Sequence, residues 1–524
     1  MAEPTIQLGG GNWAGKSGNL LGYYEQNKKF YAEDFTFSRS TTGTYTDKDG
    51  YIQEMPYNLF EYSEDFSQSY WMQNYNGIIP TSTTTAPNGT ETAQKYSETT
   101  TPYNFIRPQT NILGTDYTLS VYVKNVDANN FYVRTTIGWS YYNFANGTTS
   151  NTNLTATDVG NGWILLVTNS PNATWKQFGI GEADSDSTEA NNSVYVWGAQ
   201  LVKGTSAKTY FPTTTRLNMP RVDYKDNSNG SLILEPQRTN ILAYSEDLSQ
   251  GWGTLGTNVI EYVPTLQNPN GLLGGYKVKG SGIYSSSPIS PTSQRSIYAR
   301  SVTGTGDVQL MSHSSNTNNV FTLTEEWQRF DLNSVTSATG QSSFYIDLRG
   351  ASTTLSEFYV WGAMAETGSY PTSYIPTSGT SVTRNNDQIP SQTLSTALTT
   401  QGTIYIDFDK IIQGGTDFGF TNASNTLSYA FYFYSDGIDV YNASAFIVNR
   451  TTLEPNNSKV AVSWSGTDVK VFINGNNRTK SGAVASLNNT EKISFSDTSD
   501  ICNMNAIYLF SEQLTDTELA ALTT

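Results

Sequence analysis

The stretch NLFEYSEDFSQSYW at 58–71 recurs as NILAYSEDLSQGW at 240–252. Further on, VYVWGAQLVKGTSAKTYFPTTT at 194–215 recurs as FYVWGAMAETGSYPTSYIPTSG at 358–379. Each Tyr-Ser-Glu-Asp opening is followed by its own Trp-Gly-Ala closure. Such a pairing marks one structural unit folded twice, so no single fold spreads over the whole chain. The two units run over 58–215 and 240–381. A connector precedes each, at 34–57 and 216–239. Asp49-Gly50 and Asn229-Gly230 lie between β-prone runs there, the turn dipeptides of a two-residue hairpin.

Within the units the apolar residues alternate with period two. YTLSVYVKN at 117–125 puts Leu119, Val121 and Val123 on one face of a strand, and RSIYARSV at 295–302 takes the matching place in the second unit. Trp197 and Trp361, in the closing strands, are expected in the core. A third region, 382–524, carries further alternating runs at 402–409, 428–435 and 459–466, and a hairpin turning at Asn474-Gly475. Near its end, Thr515 and Glu518 have capping-box spacing and Leu514 and Leu519 that of a hydrophobic staple, so one short helix is expected. The composition agrees: 13% of residues are aromatic and only 15% charged, against about 25% charged in ordinary domains. The fold class is all-β, serial antiparallel β-sandwiches of jelly-roll type with little helix. Residues 1–33 are expected to be an extended or irregular attachment segment.

Several chemistries are set aside. The 30 Lys and Arg stand against 46 Asp and Glu, a net charge of −16, the wrong sign for nucleic-acid phosphates. No apolar run approaches the length that spans a bilayer, so membrane insertion is not expected. The start MAEPTIQLGG lacks the basic and apolar regions of a signal peptide, and the expectation is a chain made in the cytoplasm. Gly10, Gly15, Lys16 and Ser17 have the spacing of a phosphate-binding loop. Gly18, Asn19 and Gly22 follow, however, where such a loop must open a helix. The match is read as accidental. His313 is the one histidine and Cys502 the one cysteine, which excludes a His-rich or thiolate zinc site. No catalytic residue and no cofactor is assigned, and the chain is read as a non-enzyme. Asp184 and Asp186, in the oxygen-rich EADSDSTEANN, are the calcium candidates. Trp71 and Trp252, in turn-rich openings, are the candidates for stacking on a sugar.

The duplicated openings and the VYVWGAQLVKG and FYVWGAMAETG closures, with SYIPTSGTSVTRNND, resemble modules of bacteriophage virion proteins over about residues 30–390. These are carbohydrate-binding-like jelly rolls of tail-fibre, receptor-binding and head-fibre chains. The C-terminal VAVSWSGTDVKVFINGNNR and AIYLFSEQLTDTELAALT resemble a laminin-G/concanavalin-like lectin sandwich. The resemblance implies a fibre-type adhesin in the virion. Its N-terminus would join other virion proteins, its partner would be a host surface glycan, and its assembly would be a homo-oligomer, a trimer by analogy. It implies equally a capsid decoration, head-fibre or tail-assembly protein that uses its sandwiches for protein contacts alone. A glycan depolymerase is the remote alternative. No site residue carries over from these families.

Overall fold

The computed structural model describes residues 4–10, 13–16, 19–26, 29–73, 82–97, 105–110, 112, 116–135, 138–170, 176–184, 191–256, 259–286, 289, 293–311, 320–332, 343–348, 352–368, 370–412, 417–434, 437–451, 458–495 and 501–524. Among the described residues the chain is all-β with antiparallel pairing and one helix, at Asp516–Thr523. It forms two units, Met55–Arg216 and Met1–Glu54 with Leu217–Thr524.

The first unit is one sandwich. One sheet runs Leu154–Gly160, Trp163–Ser170, Tyr117–Asn125, Ser193–Lys203, Ala93–Ser97, Thr83–Thr84. The other runs Thr148–Thr149, Gly138–Asn143, Asn130–Thr135, Gln177–Ile180, Ile106–Pro108, Trp71–Gln73. Leu119, Val121 and Val123 from the first sheet meet Phe131, Val133, Phe178 and Ile180 from the second, all buried. This is the alternation of a sandwich core, every second residue inward.

Trp197 is buried, but on the other face of its sheet, with Trp163, Tyr122 and Tyr210. Alternation from the inward Val194 and Val196 puts it there, and a bulge follows. Pairing slips between Ser120 and Tyr122, and Gly198 adopts a φ of +62°. The bulge makes Ala199, not Gly198, the next residue to face the core. The second repeat copies the device: pairing slips between Ser296 and Tyr298, Gly362 has a φ of +65°, and Trp361 lies against Tyr298 and Tyr374. A Cβ at Gly198 would stand 3.0 Å from the Tyr122 ring in a left-handed backbone. Gly198→Ala is therefore expected to destabilise the first unit by about 1–2 kcal/mol, read as a lower urea midpoint.

The second unit contains two sandwiches. The repeated module pairs the sheet Val259–Gln267, Leu273–Lys279, Glu357–Thr367, Ser293–Ser301, Gln328–Leu332 with the sheet Trp252–Thr254, Gly282–Ser285, Tyr345–Asp347, Gly306–Met311, Val320–Leu323. The terminal sandwich places a sheet built on Ile501–Phe510, Gln401–Ile412, Ser458–Ser465 and Asp468–Ile473 over a six-stranded sheet from Gln392–Leu398 to Phe446–Thr451. The helix has the expected capping box at Thr515 and Glu518. Leu514 and Leu519 pack with Phe510 and Phe472 beneath it.

Two of the expected segments pair within the second unit. The N-terminal segment is extended, in β-strands. Ile6–Gly9 pairs with Ile501–Phe510, Ile6 opposite Leu509, and Ile6, Leu8 and Trp13 join the terminal core. Trp13 Nε1 donates to the Asn505 carbonyl at 2.9 Å. A Cβ at Gly9 would meet that carbonyl and the Trp13 ring within 2.6 Å, so the glycine is needed for this approach. Residues Trp13–Lys16 form a strand paired with Asn19–Gln26, so the phosphate-loop spacing opens no helix. The connector at 216–239 likewise joins the terminal sheet, Ser231–Leu234 pairing with Ile501–Phe510.

The second unit also encloses a charge cluster drawn from four segments. Asp387 takes Arg39 Nη1 and Arg221 Nη2, each at 2.5 Å. Glu235 takes Arg221 Nη1 at 2.8 Å and Arg384 Nη1 at 2.7 Å. Ser373 donates to Glu235 from its amide and hydroxyl. Burial alone would raise the Glu235 carboxyl. Arg384 and Arg221, with Ser373, hold it well below the usual carboxylate range. Burial lowers Arg39 to about 10 despite Asp387 beside it. The Arg39 amide donates to Asn218 Oδ1, and the Asn218 amide to the Arg39 carbonyl.

Candidate functional site

The expected site residues fall in different places. Trp71 is 3% exposed, wrapped by Phe60, Phe66, Tyr70 and Phe178, and its Nε1 donates to the Tyr62 carbonyl. Its ring is core and offers no face to a sugar. Trp71→Ala is expected to cost the first unit about 3–5 kcal/mol by chemical denaturation. Trp252 makes the same tie, Nε1 to the Tyr244 carbonyl at 3.0 Å, and packs on Phe344. Both tryptophans staple the Tyr-Ser-Glu-Asp turn to its sandwich. In each copy the serine and glutamate of that turn also meet a tyrosine hydroxyl from the closing segment, Tyr210 in the first and Tyr374 in the second.

Asp186 and His313 lie outside the described residues. Cys502 lies in Ile501–Phe510, opposite Leu234 and Ile411. Among the described residues, no group of three or more His, Cys, Asp or Glu is placed to hold a metal ion. Asp184 is joined to protein groups: Oδ2 lies 3.4 Å from Arg134 Nη1 and accepts from Gln177 Nε2 at 3.3 Å.

That contact leads to a site the sequence reading missed. In the first module's second sheet, Ile106, Phe131, Val133 and Phe178 point inward. Their strand neighbours therefore stand on the opposite face. Registers set these neighbours in one cross-strand row. Met72 is opposite Arg107, and Ile106 opposite Phe178, which brings Arg107 beside Gln177. Gln177 is opposite Arg134, and Arg134 opposite Trp139. The row crosses five strands, a span of about 19 Å at the usual strand spacing. Tyr132 is opposite Tyr141 in the next row.

The arrangement is ordered. The Arg134 guanidinium lies 4.3 Å over the Trp139 ring, a cation–π contact. Trp139 stands edge-on to Tyr132, centroids 5.1 Å apart. Glu182, by its charge and a hydrogen bond, pushes the Tyr141 phenol up. Arg107 lies over the Phe105 ring at 5.1 Å, with Nη2 3.2 Å from Met72 Sδ. Gln177 and Tyr132 are buried, while Arg134, Trp139 and Tyr141 are half-buried. A buried polar floor beneath half-buried aromatic and guanidinium groups can fix a ring-shaped, hydroxyl-rich ligand. The aromatics offer apolar faces, and the amide, carboxylate and guanidinium offer paired donors and acceptors.

The second module carries a different set on the corresponding row. Gly253 is opposite Tyr284, and Tyr284 opposite Tyr345. The two rings stack at 5.4 Å and 21°. A Cβ at Gly253 would fall 2.4 Å from the Tyr284 ring, so the ring rests on the glycine. The terminal sandwich shows a third aromatic group, Phe446 with Tyr441 at 5.2 Å and Tyr432 at 6.4 Å, Phe446 being 41% exposed.

No family model matches the chain, and no curated protein matches it. Among solved structures that align with it is the N-terminal CBM22-1–CBM22-2 tandem domain of Paenibacillus barcinonensis Xyn10C. That match has 15% identity, covers 59% of this chain and 98% of that one, and has a TM-score of 0.23. Another is the Trypanosoma rangeli sialidase in complex with sialic acid, with 8% identity, coverage of 92% and 97%, and a TM-score of 0.19. Superpositions this loose carry no argument about ligand or family.

Proposed function

We propose that this chain is a fibre-type adhesin of a bacteriophage virion that binds host surface glycans without turning them over. The observation that carries the reading is the Arg107–Gln177–Arg134–Trp139 row, a half-buried polar and aromatic face on a rigid sheet. Rigid strands hold such a face in register, which lowers the ordering cost of binding. The resemblance of the repeats to virion modules supplies the setting. On this reading the protein is made in the host cytoplasm, joins other virion proteins, and assembles as a homo-oligomer.

The test uses the full chain on a glycan array and on cells of the susceptible host. Saturable adsorption competed by free oligosaccharide is the expected result. Equal adsorption by the wild-type protein and Trp139→Ala would remove the first module's face from the proposal.

A further inference from the structure

We propose that one end of the terminal sandwich docks on an anionic lipid surface, at the level of the headgroups. The proposal goes beyond the glycan reading and does not rest on the first module. Three large apolar side chains stand out to solvent at this end: Phe446 is 41% exposed, Val484 52% and Leu487 90%. Hydrogen bonds gather them. The Asn442 side-chain amide donates to the Val484 carbonyl, and the Lys480 amide to the Ile447 carbonyl. Phe446 adjoins both, next to Ile447 in the chain and opposite Tyr441 in the ladder. The Ser486 amide donates to the Tyr429 hydroxyl, and Asn488 Nδ2 to the Leu427 carbonyl. Segment 484–488 therefore runs fastened along the ends of the neighbouring strands. Ala485 and Ser486 are buried, and the Ala485 amide donates to the Thr467 carbonyl. Val484 and Leu487, on either side of them, are the residues left outside. One exposed apolar side chain is ordinary, but three on one fastened end make a patch.

The charges around the patch select its occupant. Residues 440–453 and 469–490 contain no Asp or Glu, although the chain has 46. Arg478 and Lys480 are exposed beside the patch. Glu491 and Lys492 follow, one acid and one base, and both bond to Ala423 in the neighbouring turn. The net charge of this end is thus opposite to that of the chain. A side chain as open as Leu487 lies in no groove, and aliphatic tips offer a sugar neither a flat face nor a hydrogen bond. A fluid interface accepts such tips, and its negative headgroups attract the cations beside them. Repulsion from the acids elsewhere is screened beyond about 8 Å at physiological salt. The contact is interfacial and needs no spanning segment.

The test floats the full chain with vesicles of phosphatidylglycerol and phosphatidylcholine, beside vesicles of phosphatidylcholine alone. The expected result is about tenfold stronger partition onto the anionic vesicles, undiminished by soluble glycerol phosphate. Joint Arg478→Gln and Lys480→Gln substitution brings the two kinds of vesicle towards parity. Joint Val484→Asp and Leu487→Asp substitution lowers partition onto the anionic vesicles tenfold or more, with circular dichroism and the urea midpoint unchanged. No partition onto either vesicle, equal partition by wild type and the aspartate variant, or competition by glycerol phosphate overturns the proposal. Self-association that the aspartate variant abolishes, without vesicle binding, also overturns it and gives this end to a second copy of the chain. None of these outcomes touches the glycan reading, whose own test is the effect of Trp139→Ala on oligosaccharide binding.

Discussion

Asp387→Ala is expected to lower the stability of the second unit by about 3–5 kcal/mol, measured as a shift in its urea midpoint. The carboxylate receives Arg39 and Arg221 at 2.5 Å each, and all three side chains are fully buried. Removing it leaves Arg39 without its buried carboxylate and Arg221 with Glu235 alone, the costly half of breaking a buried pair. Glu235→Gln, with its two arginines left beside a neutral amide, should follow in the same direction. It also carries a pH signature. Arg384 and Arg221 hold the folded Glu235 carboxyl well below its ordinary value, against the raising effect of burial. The unfolded chain therefore binds this proton more readily than the folded one. The stabilisation is complete above the ordinary glutamate pKa of about 4.3 and is lost as pH falls below it. The wild-type urea midpoint should drop on acidification through that range, and Glu235→Gln should flatten the drop. A midpoint in Asp387→Ala within 1 kcal/mol of wild type would show that the cluster gains no more from its pairing than it loses to desolvation.

Trp139→Ala is expected to weaken glycan or host-cell binding by about thirtyfold or more, the loss of about 2 kcal/mol typical of a central aromatic anchor. Its effect on folding should be much smaller than that of Trp71→Ala. Trp139 is half-buried on the outward face, whereas Trp71 fills the core between Phe60 and Phe178. The two tryptophans lie in one module, and on the proposed reading they separate stability from recognition. Loss of binding in Trp71→Ala only where the protein unfolds, and in Trp139→Ala while it stays folded, is the expected contrast. Matching loss of binding in two folded variants would place the ligand elsewhere on the module.

The features legible in the sequence were those whose cause is local. The hairpins at Asp49-Gly50, Asn229-Gly230 and Asn474-Gly475 have their glycines at φ of +85°, +83° and +78°, a conformation the turn demands and the dipeptide announces. The helix start at Thr515 needs only residues within four positions. What stayed hidden depends on partners far along the chain. Ile6 meets Leu509 across some five hundred residues, and a four-residue apolar alternation at a terminus reads equally as a loose lead. Arg39, Arg221, Glu235, Arg384 and Asp387 each look like an ordinary solvated charge in their own segment, and only folding brings them together. The Arg107–Trp139 row was half visible. In NFYVRT at 130–135 and GWSYYN at 138–143 the period-two pattern separates Tyr132, Arg134, Trp139 and Tyr141 from the inward residues of their strands. Which set faced outward, and which strands lay beside them, required the registers. Trp71 misled because tryptophan in a turn-rich stretch suits both a staple and a platform, and its indole N–H finds a carbonyl within the same turn.

The chain enters the first module at Met55 and leaves it at Arg216, while the segments on either side belong to one unit and are hydrogen-bonded to each other through Arg39 and Asn218. The module is thus an insertion in the chain of the other unit, and the buried charges belong to the unit that receives it. Recombination that exchanged residues 55–216 for another sandwich of the same kind would leave those charges in place. On the proposed adhesin reading, such an exchange would alter what the protein binds in a single genetic step.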